Sequence, residues 1–180
     1  MERLVEPRGL VDGGCLNHRY VDVESSVMAE LSPEELRAVE QRIHDEIPIS
    51  SYMGLKLGEF TGEQLIASVD FEKNKNIHGT AFGGSLYSAA ALTGWALLHL
   101  RGLQVQLLDE PVIIKAEARY LRPVQGDICC VSTLSDADFN RYLRKIERFN
   151  QGKVEITSSI TSNERVAFEV VALYGVKRGS

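Results

Sequence analysis

The chain has 180 residues, 44% of them apolar and 25% charged, the balance of a folded domain and not of a disordered chain. Twenty Lys and Arg against 25 Asp and Glu leave a net charge of −5, which speaks against a general nucleic-acid binder. Three cysteines, Cys15, Cys129 and Cys130, give no disulfide framework, and no His, Cys or acid cluster has ligand spacing, so no metal is expected. The opening MERLVEPRGLVDGG lacks the apolar run of a secretory leader, and the expected compartment is the cytoplasm.

Residues 1–31 mix charges with Pro7, Gly13 and Gly14 and hold no hydrophobic period. They read as a poorly ordered extension ahead of a folded domain over 32–180. Ser32-Pro33-Glu34-Glu35 is composed as a helix start, and Leu36, Val39 and Ile43 follow at helical spacing until Ile47-Pro48 stops the run. Leu55 and Leu57, a Thr61-Gly62 turn, and Leu65, Ala67, Val69 and Phe71 at every second residue predict a hairpin. A polar loop, FEKNKNIHGTAFGG, then leads into a long apolar helix from about Gly83 to Arg101. Gly79 to Leu100 is a run of 22 residues without Asp, Glu, Lys or Arg, long enough to span a bilayer; its Gly, Ser, Thr and His content predicts instead a helix wrapped on all sides by protein.

Strands are predicted from Val112 to Tyr120 and from Ile128 to Leu134. A helix follows from Asp136 to Asn150, with Phe139, Tyr142, Leu143, Ile146 and Phe149 on one face, and two last strands run through Val154–Ile160 and Val166–Tyr174. One uncharged helix among amphipathic, hairpin-connected strands is an α+β arrangement, an antiparallel sheet wrapped around that helix. It excludes a doubly wound parallel sheet, which needs crossover helices between strands.

This order of elements, with Asn76-Ile77-His78-Gly79-Thr80-Ala81-Phe82-Gly83-Gly84-Ser85-Leu86 at the mouth of the long helix, resembles the hotdog fold of acyl-thioester enzymes. Within that fold it is similar, over about Ser32 to Arg178, to the thioesterase family typified by the C-terminal domain of enterobacterial YiiD. Members of that family have been assigned as malonyl-acyl-carrier-protein decarboxylases. The resemblance implies a homodimer acting on acyl-coenzyme A or acyl-phosphopantetheine substrates, with no cofactor besides. Many hotdog thioesterases carry His-Gly-Gly at the helix entrance, where this chain has Phe82-Gly83-Gly84, and many place Glu or Asp on the helix, where Gly83 to Leu100 holds no carboxylate.

Hydrolysing a thioester needs an activated water or a carboxylate nucleophile, and the long helix offers neither. Decarboxylating a malonyl thioester needs donors aimed at the thioester oxygen, where the enolate charge develops. This residue set suits decarboxylation better than hydrolysis, and with the resemblance the expected reaction is conversion of malonyl-acyl carrier protein, or malonyl-coenzyme A, to the acetyl thioester that primes fatty-acid synthesis. Acyl-thioester hydrolysis, with a water held by Asn76 and His78, and catalytically silent acyl-thioester binding are the alternatives.

Gly83 and Gly84 suit backbone donors at a helix start, the competing use being close packing of the helix. Asn76 reads either as a donor to the substrate or as an Asx-type loop former, and His78 either as a proton donor or as a structural residue. Thr80, Phe82 and Ser85 are expected to line the substrate, with helix capping the other use of Thr80 and Ser85. Arg141, Arg144, Lys145 and Arg148 recur at i, i+3, i+4 and i+7. They form a basic stripe for the phosphates of coenzyme A or the acidic surface of an acyl carrier protein, or else an ordinary solvated face. Unpaired edge strands of a single sheet also favour an isologous dimer that closes the pocket between subunits. Neither a nucleic acid nor a membrane is expected as a partner.

Overall fold

The structure, a computed structural model, describes residues 31–107 and 109–177; the extension read over 1–31 and Cys15 fall outside them, Leu31 excepted. Helix α1 (Pro33–Glu46) starts as its composition dictates. Ser32 Oγ accepts from the Glu35 N–H, and the Glu35 carboxylate accepts from the Ser32 N–H at 2.7 Å, a reciprocal capping box. Pro48 ends α1 but also opens a second helix, α2 (Pro48–Met53), because its fixed φ and missing N–H suit a first helical turn as well as a stop. The left-handed Gly54 (φ 68°) terminates α2 and releases the chain into strand β1 (Lys56–Phe60).

The Thr61-Gly62 turn, closed by the Thr61 N–H to Gln64 O bond at 3.0 Å, joins β1 to β2 (Gln64–Val69). A four-residue helix, α3 (Phe71–Asn74), lies in the polar loop, capped by Asp70. Then come the long helix α4 (Gly83–Gln104), β3 (Val112–Tyr120), β4 (Ile128–Thr133), α5 (Asp136–Phe149), β5 (Gln151–Ser162) and β6 (Arg165–Lys177). The six strands make one antiparallel sheet in the order β1-β2-β4-β5-β6-β3. The alternation read from the sequence sets the packing. Leu65, Ala67 and Val69 of β2, Cys130 of β4 and Val154, Ile156 and Ile160 of β5 are buried with Leu86, Ala90, Leu97 and Leu100 of α4, each side chain contributing about 1.5–3 kcal/mol where large.

Two hydroxyls pin α4 to the sheet: Ser158 donates to Ala90 O at 3.3 Å and Tyr174 to Ala91 O at 2.8 Å. Burial withdraws the Tyr174 phenol from ionisation, raising its pKa. The helix is not wrapped on all sides as its sequence predicts. Tyr87, Ser88, Ala91 and Trp95 stay half-buried and Gly84 is exposed, a stripe of uncharged residues turned away from the sheet centre. α4 also runs on to Gln104, past the predicted end at Arg101, because Arg101 is buried. Its guanidinium donates to Gly62 O (3.1 Å), Leu134 O (3.4 Å) and Asp136 Oδ1 (2.7 Å), and lies 4.2 Å from the Phe139 ring centre. One cation thus ties the β1–β2 turn and the start of α5 to the end of α4. No helix among the described residues is long and apolar enough to cross a membrane.

Candidate active site

The loop between α3 and α4 is a tight reversal. The Phe82 N–H donates to Asn74 O and the Asn76 N–H to Thr80 O, both at 2.7 Å, and Gly79 turns through φ 71°. Asn76 fills its centre. Oδ1 accepts from the N–H groups of His78 (2.8 Å) and Thr80 (3.3 Å), while Nδ2 donates to Thr80 Oγ1 (3.0 Å) and Ala81 O (3.4 Å). All four bonding positions of the amide are used inside the loop, so in this arrangement it shapes the backbone and presents no free hydrogen outward. Ile77 and His78 stand exposed at the tip, and the His78 imidazole has no partner among the described residues.

The free donors lie one step further on. Phe82 is the N-cap of α4 and supplies no side-chain cap; neither Thr80 nor Ser85 caps the helix. The N–H groups of Gly83, Gly84 and Ser85 find no acceptor among the described residues. They sit at the positive end of a 22-residue helix, and the segment Asn76–Gln104 contains no Asp or Glu to occupy them.

Two aromatic rings explain the glycines. A Cβ on Gly83 would lie 3.0 Å from Tyr120 Cε1, and one on Gly84 would lie 2.4 Å from Phe82 Cε1. The Tyr120 hydroxyl donates to Gly83 O at 3.1 Å, and its ring packs 4.8 Å from that of Phe168. Packing and an unpaired backbone are therefore one arrangement here: the rings cover the α-carbons while the N–H groups keep no acceptor among the described residues. Phe82 and Tyr120 remain 56% and 58% exposed, so apolar surface stands beside the unpaired donors. Tyr120 is a neighbour of the candidate site that sequence reasoning missed, although it ends the alternation of β3 opposite Phe168.

The family model described as "Putative thioesterase (yiiD_Cterm)" matches residues 36–178. The chain belongs to this family. Its sheet and long helix overlay a "putative thioesterase" from Shewanella oneidensis with a TM-score of 0.75, at 26% identity, over 82% of this chain and 100% of that one. A Chlorobaculum tepidum protein of unknown function has the same fold (TM-score 0.76, 24% identity, 81% of this chain and 96% of that one). So does a thioesterase from Haemophilus influenzae (TM-score 0.58, 17% identity, 83% and 94%). The six-stranded sheet packed against α4 is the hotdog arrangement expected from the sequence.

On that scaffold Asn76, His78, Thr80, Phe82, Gly83, Gly84 and Ser85 come together at one end of α4, and the basic stripe does not join them. Arg141, Arg144, Lys145 and Arg148 are exposed on α5, whose first turn packs at Arg101, about 27 Å of helix away from Gly83. The adjacent cysteines face opposite sides of β4. Cys130 is buried, its thiol pushed up to about 12 by burial, and Cys129 is half-buried. No group of three His, Cys, Asp or Glu among the described residues is placed to hold a metal.

Beyond the middle of α4, Trp95 stacks on His99 with ring centres 4.8 Å apart and donates to Pro111 O at 3.1 Å. His99 is buried, and burial followed by the nearby Arg42 lowers its pKa.

Proposed function

We propose that this protein decarboxylates a malonyl thioester at the start of α4. The observation that carries the reading is the trio of unbonded N–H groups on Gly83, Gly84 and Ser85, at the positive end of a long helix, in a segment without any carboxylate. Such a site stabilises an oxyanion, and its segment supplies no carboxylate base. The thioester oxygen accepts from these donors; the bond between the α-carbon and the carboxylate breaks; carbon dioxide leaves; and the electron pair becomes the enolate. A proton from water then adds to carbon, giving the acetyl thioester with its C–S bond intact. Each preorganised donor of this kind supplies about 3 kcal/mol. Asn76 acts here as a positioning residue, holding the 76–81 backbone that aims the helix start. His78, exposed beside it, is the side chain nearest in sequence that can pass a proton.

Hydrolysis is the second reading, and the description of the family and of its relatives as thioesterases favours it. Within Asn76–Gln104 the side chain that could activate a water for it is His78, since that segment holds no Asp or Glu. Purified protein given malonyl and long-chain acyl thioesters separately distinguishes the outcomes. Acetyl thioester and carbon dioxide support the proposal, free thiol supports hydrolysis, and saturable binding without turnover means a binding module.

The same reading includes a homodimer. β3 is an edge strand on which Val112, Ile114 and Tyr120 are exposed, next to the uncharged open stripe of α4. Antiparallel pairing of β3 with its copy, centred near Ala116, covers both and gives the mouth its second wall. Sedimentation at assay concentration showing a stable ~20 kDa monomer with full activity would contradict it.

A further inference from the structure

We infer that the cationic face of α5 on one subunit docks the acidic carrier protein whose thioester enters the mouth of the other subunit. The inference rests on the dimeric malonyl-thioester reading above and adds which partner is recognised, and by which chain. Arg141, Arg144, Lys145 and Arg148, with Glu147 and Phe149, line a shallow hollow of about 510 Å³. Arg141 is paired with Asp138, but Arg144, Lys145 and Arg148 have no carboxylate partner among the described residues. Exposed cations without a carboxylate partner among the described residues also occur at Arg37, Lys56, Lys115, Lys153 and Arg165, but α5 gathers three such cations on one helical face. Three uncompensated charges on one helix face of a net-acidic chain, beside the exposed ring of Phe149 with Arg148 over it, suit an acidic protein surface. A small phosphate ligand would need a more enclosed site.

Distance decides which mouth is served. Tyr142 and Ile146 of α5 pack where a Cβ on Gly152 would stand, Gly152 pairs with Val176, and the neighbouring Gly175 pairs with Val112 at one end of β3. The chain's own mouth is at the opposite end, where Tyr120 covers Gly83 opposite Phe168, about 24 Å along β6 from Gly175. Pairing two copies of β3 antiparallel about Ala116 places Val112 beside Tyr120 of the partner subunit. From Gly152 that is three strand spacings, about 14 Å. The partner's mouth is the nearer one.

Differently tagged subunits purified as heterodimers test this with malonyl-loaded acyl carrier protein. Ser85→Glu disables a mouth by placing a carboxylate among the free N–H groups, and its position in the first turn favours folding. Arg144→Glu with Arg148→Glu reverses a stripe. With the two changes on different chains, the surviving mouth faces an intact stripe, and KM is expected within about twofold of wild type. With both on one chain and a wild-type partner, the surviving mouth faces the reversed stripe, and KM is expected to rise about tenfold or more at low salt, the rise shrinking at high salt.

The opposite pattern means docking on the mouth's own chain and overturns the inference; an unchanged KM in both arrangements overturns it equally. Calorimetric titration with unloaded carrier separates the two claims. Salt-sensitive binding lost in the reversed homodimer, with no turnover by wild type, sinks the reaction and keeps the surface. Turnover with a KM indifferent to salt and to reversal sinks the surface and keeps the reaction.

Discussion

At its C-terminal end α4 is closed by backbone and side chain together: the N–H groups of Val105, Gln106 and Leu107 donate to Gly102 O and Leu103 O, and Arg101 fastens the last turn to the rest of the fold. Arg101, with 0% of its side chain exposed, reaches two backbone carbonyls, the Asp136 carboxylate and the Phe139 ring. At its N-terminal end nothing of the kind happens: Phe82 caps without a side-chain bond, and three N–H groups have no acceptor among the described residues. Both ends of any helix carry unpaired backbone groups, and most chains satisfy both. Here the distal end is spent on holding the fold, while the proximal end keeps unused bonding capacity beside apolar surface. Water can satisfy these N–H groups in the free protein, and the positive helix end favours an anion in its place.

The most severe way to break the contrast is to give the open end a cap. Ser85→Glu should lower malonyl-thioester turnover by about a thousandfold, while helix stability rises by about 0.5 kcal/mol. Turnover assays paired with thermal unfolding check this, and retained activity would remove the three N–H groups from the mechanism. Breaking the closed end should do the reverse. Arg101→Ala strands Asp136 and two carbonyls and leaves a void, at a cost of about 3 kcal/mol by urea titration. Activity per folded molecule should hold.

Between these lies the loop. Asn76→Ala removes the bonds that fix 76–81 and should reduce kcat by about tenfold to a hundredfold with the fold intact, less than the loss of the donors it positions. Asn76→Asp keeps the acceptor for His78 and Thr80 but adds negative charge near a carboxylate substrate and its enolate, so it should also be impaired.

The smallest effect concerns pH. His99 is neutral and buried in the native state with its pKa lowered from 6.5, so the unfolded chain binds the extra proton and stability falls as pH drops below about 6.5. His99→Phe keeps the stack on Trp95 and should flatten that slope between pH 7 and 5.5, read by denaturant midpoints. An identical slope would show that the imidazole is not what titrates.

Much of this was legible in the residues. The capping box at Ser32, the turn at Thr61-Gly62 and the alternation of β2, β5 and β6 are local signals, and the structure follows them. Pro48 was ambiguous because one proline ends a helix and starts another by the same fixed φ. Arg101 gave no sign of burial, since a cation near a helix C-terminus ordinarily reaches water; the acceptors that draw it inward come from Gly62, Leu134 and Asp136, distant in sequence. Around the start of α4 the sequence singled out residues 76–86 but not how their bonds are shared. Whether the Asn76 amide points into its loop or out of it depends on the Thr80 and Ala81 backbone, and the ring over Gly83 arrives from β3.

Product analysis in deuterated water tests the central claim most directly, that the open end of α4 holds an enolate and activates no water. Malonyl thioester turned over in heavy water should give an acetyl thioester with one solvent deuterium on its methyl carbon, one carbon dioxide per turnover and no free thiol. Free thiol released together with intact malonate, at the rate of substrate loss, would contradict the account and make the protein a hydrolase.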